Sequence, residues 1–234
     1  MMKAQRIDKL LTATGRYSRR EAAALAKRGA VAVDGVCCRN VSRRIDPEQQ
    51  ALTVEGERIG YELHVYLMLH KPCGVLSATQ DRDQKTVLDL LPERYRAMGV
   101  FPVGRLDKDT SGLLLLTNDG ALGHRLTSPK HGVKKVYLAE TDGTPDGAAV
   151  QAFAQGMTLR DGTVCRPAQL DILSERQVRV TVQEGKYHQV RRMLAACGTP
   201  VLSLKRICEG AIALDEQLEV GEWRALTAEE RALL

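Results

Sequence analysis

The densest group of side chains able to do chemistry lies in residues 104–120, GRLDKDTSGLLLLTNDG. Arg105, Asp107 and Asp109 stand in a charged loop directly before an apolar run, Gly112 to Thr117. A buried strand holds the loop ahead of it rigid, so an acid there is a preorganised carboxylate near a surface or cleft. The ordinary role of a loop aspartate is to cap or turn the chain, and by residue type alone that role leads. Other chemistries lack their residues. There is no phosphate-binding glycine loop, no dinucleotide fingerprint and no serine elbow. The histidines, His64, His70, His124, His131 and His188, lack metal-ligand spacing. His188 stands out among them, with a structural role at a helix start at least as plausible as a chemical one.

The elements that must hold this loop follow from hydropathy and turn residues. VYLMLHKPCGVLSA gives a buried strand, a Pro-Cys-Gly turn and a second strand. Thr86 caps a short helix carrying Val87, Leu88, Leu90 and Leu91. A helix follows Asn118-Asp119-Gly120, and strands are expected at Lys134–Glu140, Ala168–Leu173, Gln177–Val182 and Val201–Ile207. Helices are expected to end at Gly156 and Gly198, the latter running from His188 to Cys197. Helices and strands mix without regular alternation, which predicts an α+β domain on a mixed, mainly antiparallel sheet.

The first quarter of the chain is different. The net charge of the 234 residues is +5, and all of the excess lies in residues 1–60, with 12 Lys+Arg against 7 Asp+Glu. A basic module on a neutral larger one suits a polyanion-binding appendage on an enzyme, with a solvated basic surface as the alternative. Ile7, Leu10 and Leu11 fall at helical spacing, and Gly15 ends that helix. Ser18 and Glu21 form a capping box for a helix over Arg19 to Lys27, stopped by Gly29. Strands are expected at Ala30–Val33 and from Val36, around an Asp34-Gly35 turn. A second hairpin turns at Glu55-Gly56, and a hinge is expected in Glu57–His64. Arg6, Lys9, Arg16, Arg19, Arg20, Lys27, Arg28, Arg39, Arg43 and Arg44 cluster around these elements, placed to meet RNA phosphates. Apolar runs are far short of the roughly 20 residues that span a bilayer, and charges at Arg6, Asp8 and Lys9 interrupt any leader-like core. A cytoplasmic protein with no membrane association is expected. Cys37, Cys38, Cys73, Cys165, Cys197 and Cys208 have neither zinc spacing nor a disulfide framework.

Two resemblances sharpen this. RIDKLLTATGRYSRREAAALAKRGAVAVDG resembles the alpha-L RNA-binding domain, over about residues 4–60. GRLDKDTSGLLLLT resembles the defining active-site motif of pseudouridine synthases that modify ribosomal RNA, with its aspartate at Asp107. HKPCGVLS at 70–77, KKVYLAE at 134–140, EGKYHQVRRMLAACG at 184–198 and VLSLKRICEGAIAL at 201–214 resemble further motifs of that family, in its order. TSPKHGVKKVYL and EGKYHQVRRML most resemble the ribosomal small-subunit pseudouridine synthase A type. The implied organisation is an alpha-L RNA-binding domain over residues 1–60 and a pseudouridine synthase domain over 61–234.

What the resemblance implies is specific. Uracil is detached from ribose, rotated and rejoined through carbon five, on a base drawn out of the RNA stack. Asp107 is the essential acid, either attacking sugar or base or removing a sugar proton. Arg191 is the implied partner holding that carboxylate, Tyr137 stacks on the base, and Leu204 walls the pocket. Arg105 fills the gap in the stack or holds its phosphates, while Lys71 and Lys135 assist binding of the RNA backbone. The chemistry needs no metal and no cofactor. The implied partner is ribosomal RNA or a partly assembled small ribosomal subunit, with the protein a monomer. Three alternatives remain: action on large-subunit RNA, a non-catalytic RNA-binding assembly protein, and a glycosidase using Asp107 with a second acid.

Overall fold

The computed structural model describes residues 4–47, 49–60 and 64–234. The chain divides into two compact units, Met1–Val65 with Leu91–Val100, and Tyr66–Leu90 with Phe101–Leu234. Part of the expected hinge, residues 61–63, lies outside the described residues.

In the first unit, helices Ile7–Ala13 and Arg19–Lys27 bury Ile7, Leu10, Leu11, Ala22, Leu25 and Ala26 against Val31, Val33, Leu52 and Val54. The capping box forms: the Glu21 N–H donates to Ser18 Oγ at 3.2 Å, and the Ser18 N–H donates to the Glu21 carboxylate at 2.7 Å. A four-stranded antiparallel sheet runs in the order Val36–Cys37, Val31–Val33, Leu52–Val54, Glu57–Arg58. Both of its hairpins turn on residue pairs with positive φ, Asp34-Gly35 and Glu55-Gly56. That geometry matches the right-handed twist of the strands it joins. Asp34 is held there by the Ala51 N–H, which donates to its carboxylate at 2.8 Å.

The second unit is α+β, as its irregular mixture of elements predicts. Its mixed sheet has the order Gln169–Ile172, Gln177–Val182, Lys135–Thr141, Val201–Glu209, Ser111–Thr117, Tyr66–Lys71, Trp223–Ala225. Along that order only Val201–Glu209 and Ser111–Thr117 pair in parallel. Helices Gly147–Gln155 and Gln189–Ala196 pack Phe153, Met193 and Leu194 on Val178, Val180 and Val182, the buried alternate residues of their strand. Helix Gly120–Thr127 packs Leu122 and Leu126 on Met68, Leu113 and Leu115. Leu113 to Leu116 are all buried, so the strand behind the Asp107 loop is covered on both faces.

At the parallel pairing the two backbones nearly touch. A Cβ on Gly112 would stand 2.2 Å from the Arg206 carbonyl oxygen, and Gly112 has φ +106°. Only glycine fits both conditions.

Three details differ from the sequence expectation. Val75 to Ala78 form no strand; Leu76 makes one isolated bridge to Thr86. The turn after Thr86 is a short 3-10 helix, Val87–Leu90, and its capping is reversed. Thr86 donates its N–H and hydroxyl to the Asp89 carboxylate, at 2.6 and 2.9 Å. The short strand Trp223–Ala225, absent from the sequence expectation, closes the sheet edge on Leu67–Leu69. Among the described residues, no helix is long and apolar enough to cross a membrane.

Candidate active site

The Asp107 loop is fastened from below by the 70–77 segment. Lys71 is fully buried, and its ammonium donates to the carbonyls of Pro72 (2.9 Å), Asp107 (3.1 Å) and Thr110 (3.0 Å). Burial pulls its pKa below the ordinary lysine value, with Cys73, Asp107 and Asp109 pulling the other way. Ser77 makes a reciprocal pair with Leu106, donating to its carbonyl at 2.8 Å and accepting from its N–H at 3.0 Å. The Gly74 N–H adds a bond to the Lys108 carbonyl at 2.7 Å. Lys71 is therefore a strut inside the fold, which corrects its expected role on the RNA backbone.

Above the loop lies a cavity of about 240 Å³. Asp107, Arg105, Tyr137 and Leu204 all line it, together with the turn from Glu184 to Val190. Tyr137 and Leu204 arrive on adjacent strands, with Tyr137 opposite Arg206 and Leu204 opposite Ala139. Leu204 is buried, Tyr137 and Asp107 half-buried, and Arg105 exposed. Burial raises the Tyr137 phenol above its ordinary pKa; Arg206 works against that shift and Glu209 with it. An apolar wall, an aromatic ring and a carboxylate thus share one opening.

Arg191 is placed differently from the expectation. Its guanidinium donates to the Asp109 carbonyl at 2.9 Å and stands 3.1 Å from the Asp109 carboxylate, and it makes no hydrogen bond or ion pair with Asp107. Two carboxylates lie two residues apart in the loop, and the arginine takes the outer one. The imidazole of His188 stands beside the Asp107 carboxylate, with Nε2 3.6 Å from Oδ1. His188 opens helix Gln189–Ala196 with φ +48°, a left-handed conformation uncommon for a non-glycine residue. Such backbone strain concentrates at functional sites.

A second cavity of about 270 Å³ shares Arg105, Tyr137, Glu184 and Gly185 with the first. Lys135, Arg206 and Glu209 also line it. The Lys135 ammonium donates to the Val133 carbonyl at 3.0 Å, and burial lowers its pKa. Arg206 and Glu209 form a buried ion pair at 3.0 Å, and Arg206 Nε donates to the Leu113 carbonyl at 2.9 Å. Burial pulls the Arg206 pKa down, but Glu209 and Tyr137 outweigh it and the net shift is upward. Sequence inspection passed over this pair; two opposite charges three residues apart in one strand were the available sign.

Comparison with known proteins decides the family. Residues 65–196 match the RNA pseudouridylate synthase family, and residues 5–50 match the S4 domain. A ribosomal small subunit pseudouridine synthase A from Vibrio cholerae is 41% identical, covering 97% of this chain and 98% of its own. An uncharacterized RNA pseudouridine synthase from Bacillus subtilis is 44% identical, with 98% of both chains covered. The chain belongs to the RNA pseudouridylate synthase family. A crystal structure of a pseudouridylate synthase superposes with a TM-score of 0.69 at 36% identity, covering 97% of this chain and 98% of that one.

As a pseudouridine synthase the protein is an isomerase acting on RNA, and its S4 domain supplies RNA-binding surface. In that domain Arg6, Arg16 and Arg28 are exposed but engaged, with Asp8 (2.7 Å), Glu57 (2.9 Å) and Glu55 respectively. Exposed ion pairs of this kind are weak, so a phosphate can displace the carboxylate. Lys9, Arg19, Arg20, Lys27 and Arg43 are exposed and have no carboxylate contact among the described residues.

Proposed function

We propose that this pseudouridine synthase converts one uridine of small-subunit ribosomal RNA to pseudouridine, with Asp107 as the catalytic carboxylate. The observation that carries the assignment is the single cavity shared by Asp107, Tyr137, Leu204 and Arg105. The small-subunit target is supported by the names of relatives such as the Vibrio cholerae ribosomal small subunit pseudouridine synthase A, matched over nearly the full length.

In the reaction the bond from N1 to the ribose C1′ breaks, the ring turns, and C5 bonds to C1′. The C5 proton leaves and N1 gains one, so no oxidant or cofactor is consumed. Asp107 either attacks the sugar or base, or takes a sugar proton. Both routes need its carboxylate beside an extruded uridine. Tyr137 stacks on the uracil and Leu204 closes the pocket on its apolar side. Arg105, exposed at the rim, meets the vacated stack or its phosphates. Arg191 acts one step away, fixing the loop through Asp109. Lys135, beside the second cavity, and the S4 cations Arg6, Lys9, Arg16, Arg19, Arg20, Lys27, Arg28 and Arg43 serve RNA binding. A monomer is the simplest reading, and a ribosomal RNA substrate fits a cytoplasmic location.

The test offers the full-length protein small-subunit RNA, free and in partly assembled particles, with large-subunit RNA alongside, and maps pseudouridine. Product at one small-subunit uridine is expected. Asp107→Asn abolishes it while RNA binding stays within about threefold. Product confined to large-subunit RNA overturns the target assignment, and product from Asp107→Asn overturns the catalytic one.

A further inference from the structure

Tyr187 lines the cavity with 73% of its surface open to solvent. Its ring lies face to face with His188, centroids 3.9 Å apart and planes 17° from parallel. The inner ring of this pair is the one whose Nε2 stands 3.6 Å from Asp107. The outer face of Tyr187 therefore forms the end of a two-ring stack that begins beside the catalytic carboxylate.

The stack is held by its turn. Gln189 accepts the Lys186 N–H at 3.1 Å and donates to Glu184 at 2.8 Å, and the Arg192 guanidinium donates to the Tyr187 carbonyl at 3.3 Å. His188 keeps its left-handed backbone within this frame. An aromatic ring held open to water at a cavity mouth serves a partner with a flat apolar face.

We propose that Tyr187, backed by His188, is a stacking ledge for the nucleobase next to the uridine being isomerised. The proposal rests on the assignment of Asp107 as the reacting carboxylate. Its argument is reach. Given these two separations, the Tyr187 ring is within roughly 9 Å of the carboxylate, two to three stacked steps of about 3.4 Å along a strand. Extruding a uridine breaks its neighbour's stack, and an aromatic face replaces the lost partner without selecting a base. The ledge thus offsets part of the unstacking cost and favours the open strand over the paired one.

The test uses full-length protein and a short single-stranded RNA holding one uridine with 2-aminopurine on each side. Wild type and Tyr187→Phe are expected to quench 2-aminopurine fluorescence by stacking. Tyr187→Ala loses the quenching and binds roughly 5- to 100-fold more weakly. On a small-subunit transcript its KM rises by more than its kcat falls. Equal quenching by wild type and Tyr187→Ala, including none by either, overturns the ledge. So does a Tyr187→Phe protein that behaves like Tyr187→Ala. Asp107→Asn keeps the quenching and makes no product; if it makes product, the catalytic assignment fails while the ledge is still read from fluorescence.

Discussion

Replacing Lys71 with methionine separates a strut from an RNA contact. Methionine keeps the length and apolar stem of lysine and removes the ammonium. The Asp107 carbonyl retains its bond from the Thr110 N–H at 3.1 Å, but the Pro72 and Thr110 carbonyls lose the ammonium as donor. A buried carbonyl deprived of its donor costs about 1–3 kcal/mol. Sparing the desolvation of a buried ammonium offsets part of that loss. A net destabilisation of ~2–4 kcal/mol follows, read by urea unfolding. The loop moves with it, and displacement of a reacting group by about 1 Å costs on the order of 100-fold in kcat. The pH dependence has a definite sign. Burial depresses the folded pKa of Lys71 below its unfolded value, so between the two the unfolded chain binds more protons. The wild-type stability relative to Lys71→Met therefore grows as pH rises through that window toward 10.5, the unfolded reference value, and shrinks as pH falls. A phosphate contact gives the opposite pattern: unchanged stability and kcat, with the salt slope of single-strand binding reduced by about 0.7. That result would refute the strut.

Two further outcomes follow from the geometry. Gly112→Ala drives a Cβ into the Arg206 backbone and leaves alanine at φ +106°, so it should cost about 3 kcal/mol or more in unfolding free energy and lower kcat by displacing the adjoining loop. The combined Arg19→Ala, Arg20→Ala and Lys27→Ala protein should lose affinity for all RNA sequences alike, with the slope of log K against log salt reduced by roughly 2–3 and kcat nearly unchanged.

How much of this was legible before the structure depended on the range of the signal. Local signals read well. The capping box at Ser18 and Glu21 and the Asp34-Gly35 turn each need only neighbouring residues, and both form as expected. The leucine run behind Asp107 announced a buried strand by composition alone, though its aspartate gained catalytic meaning only through the family resemblance. Pairing over long distances was not legible. Asp107 and Asp109 are equivalent partners for Arg191 along the chain, and only the packing of its helix decides for Asp109. A lysine is read as surface by default, because burying an ammonium is costly. Nothing in HKPCGVLS says that three carbonyls converge on Lys71 to offset that cost. Trp223–Ala225 is three residues long, and its pairing partners lie more than 150 positions away.

The charges divide by task in a way that net charge conceals. In the S4 domain the basic side chains stand outside, and their effect reaches RNA through water. In the catalytic unit the informative charges point inward or at each other: Lys71 at carbonyls, Arg206 at Glu209, Arg191 at Asp109. Lys71, Arg206 and Glu209 are buried, and each of the three contacts fixes backbone or strand beside the cavity. A neutral total over residues 61–234 is therefore compatible with a densely charged site. Paired internally, those charges hold geometry, and among the described residues Asp107 is left with only the neighbouring His188 within ion-pair distance, its carboxylate lining the cavity.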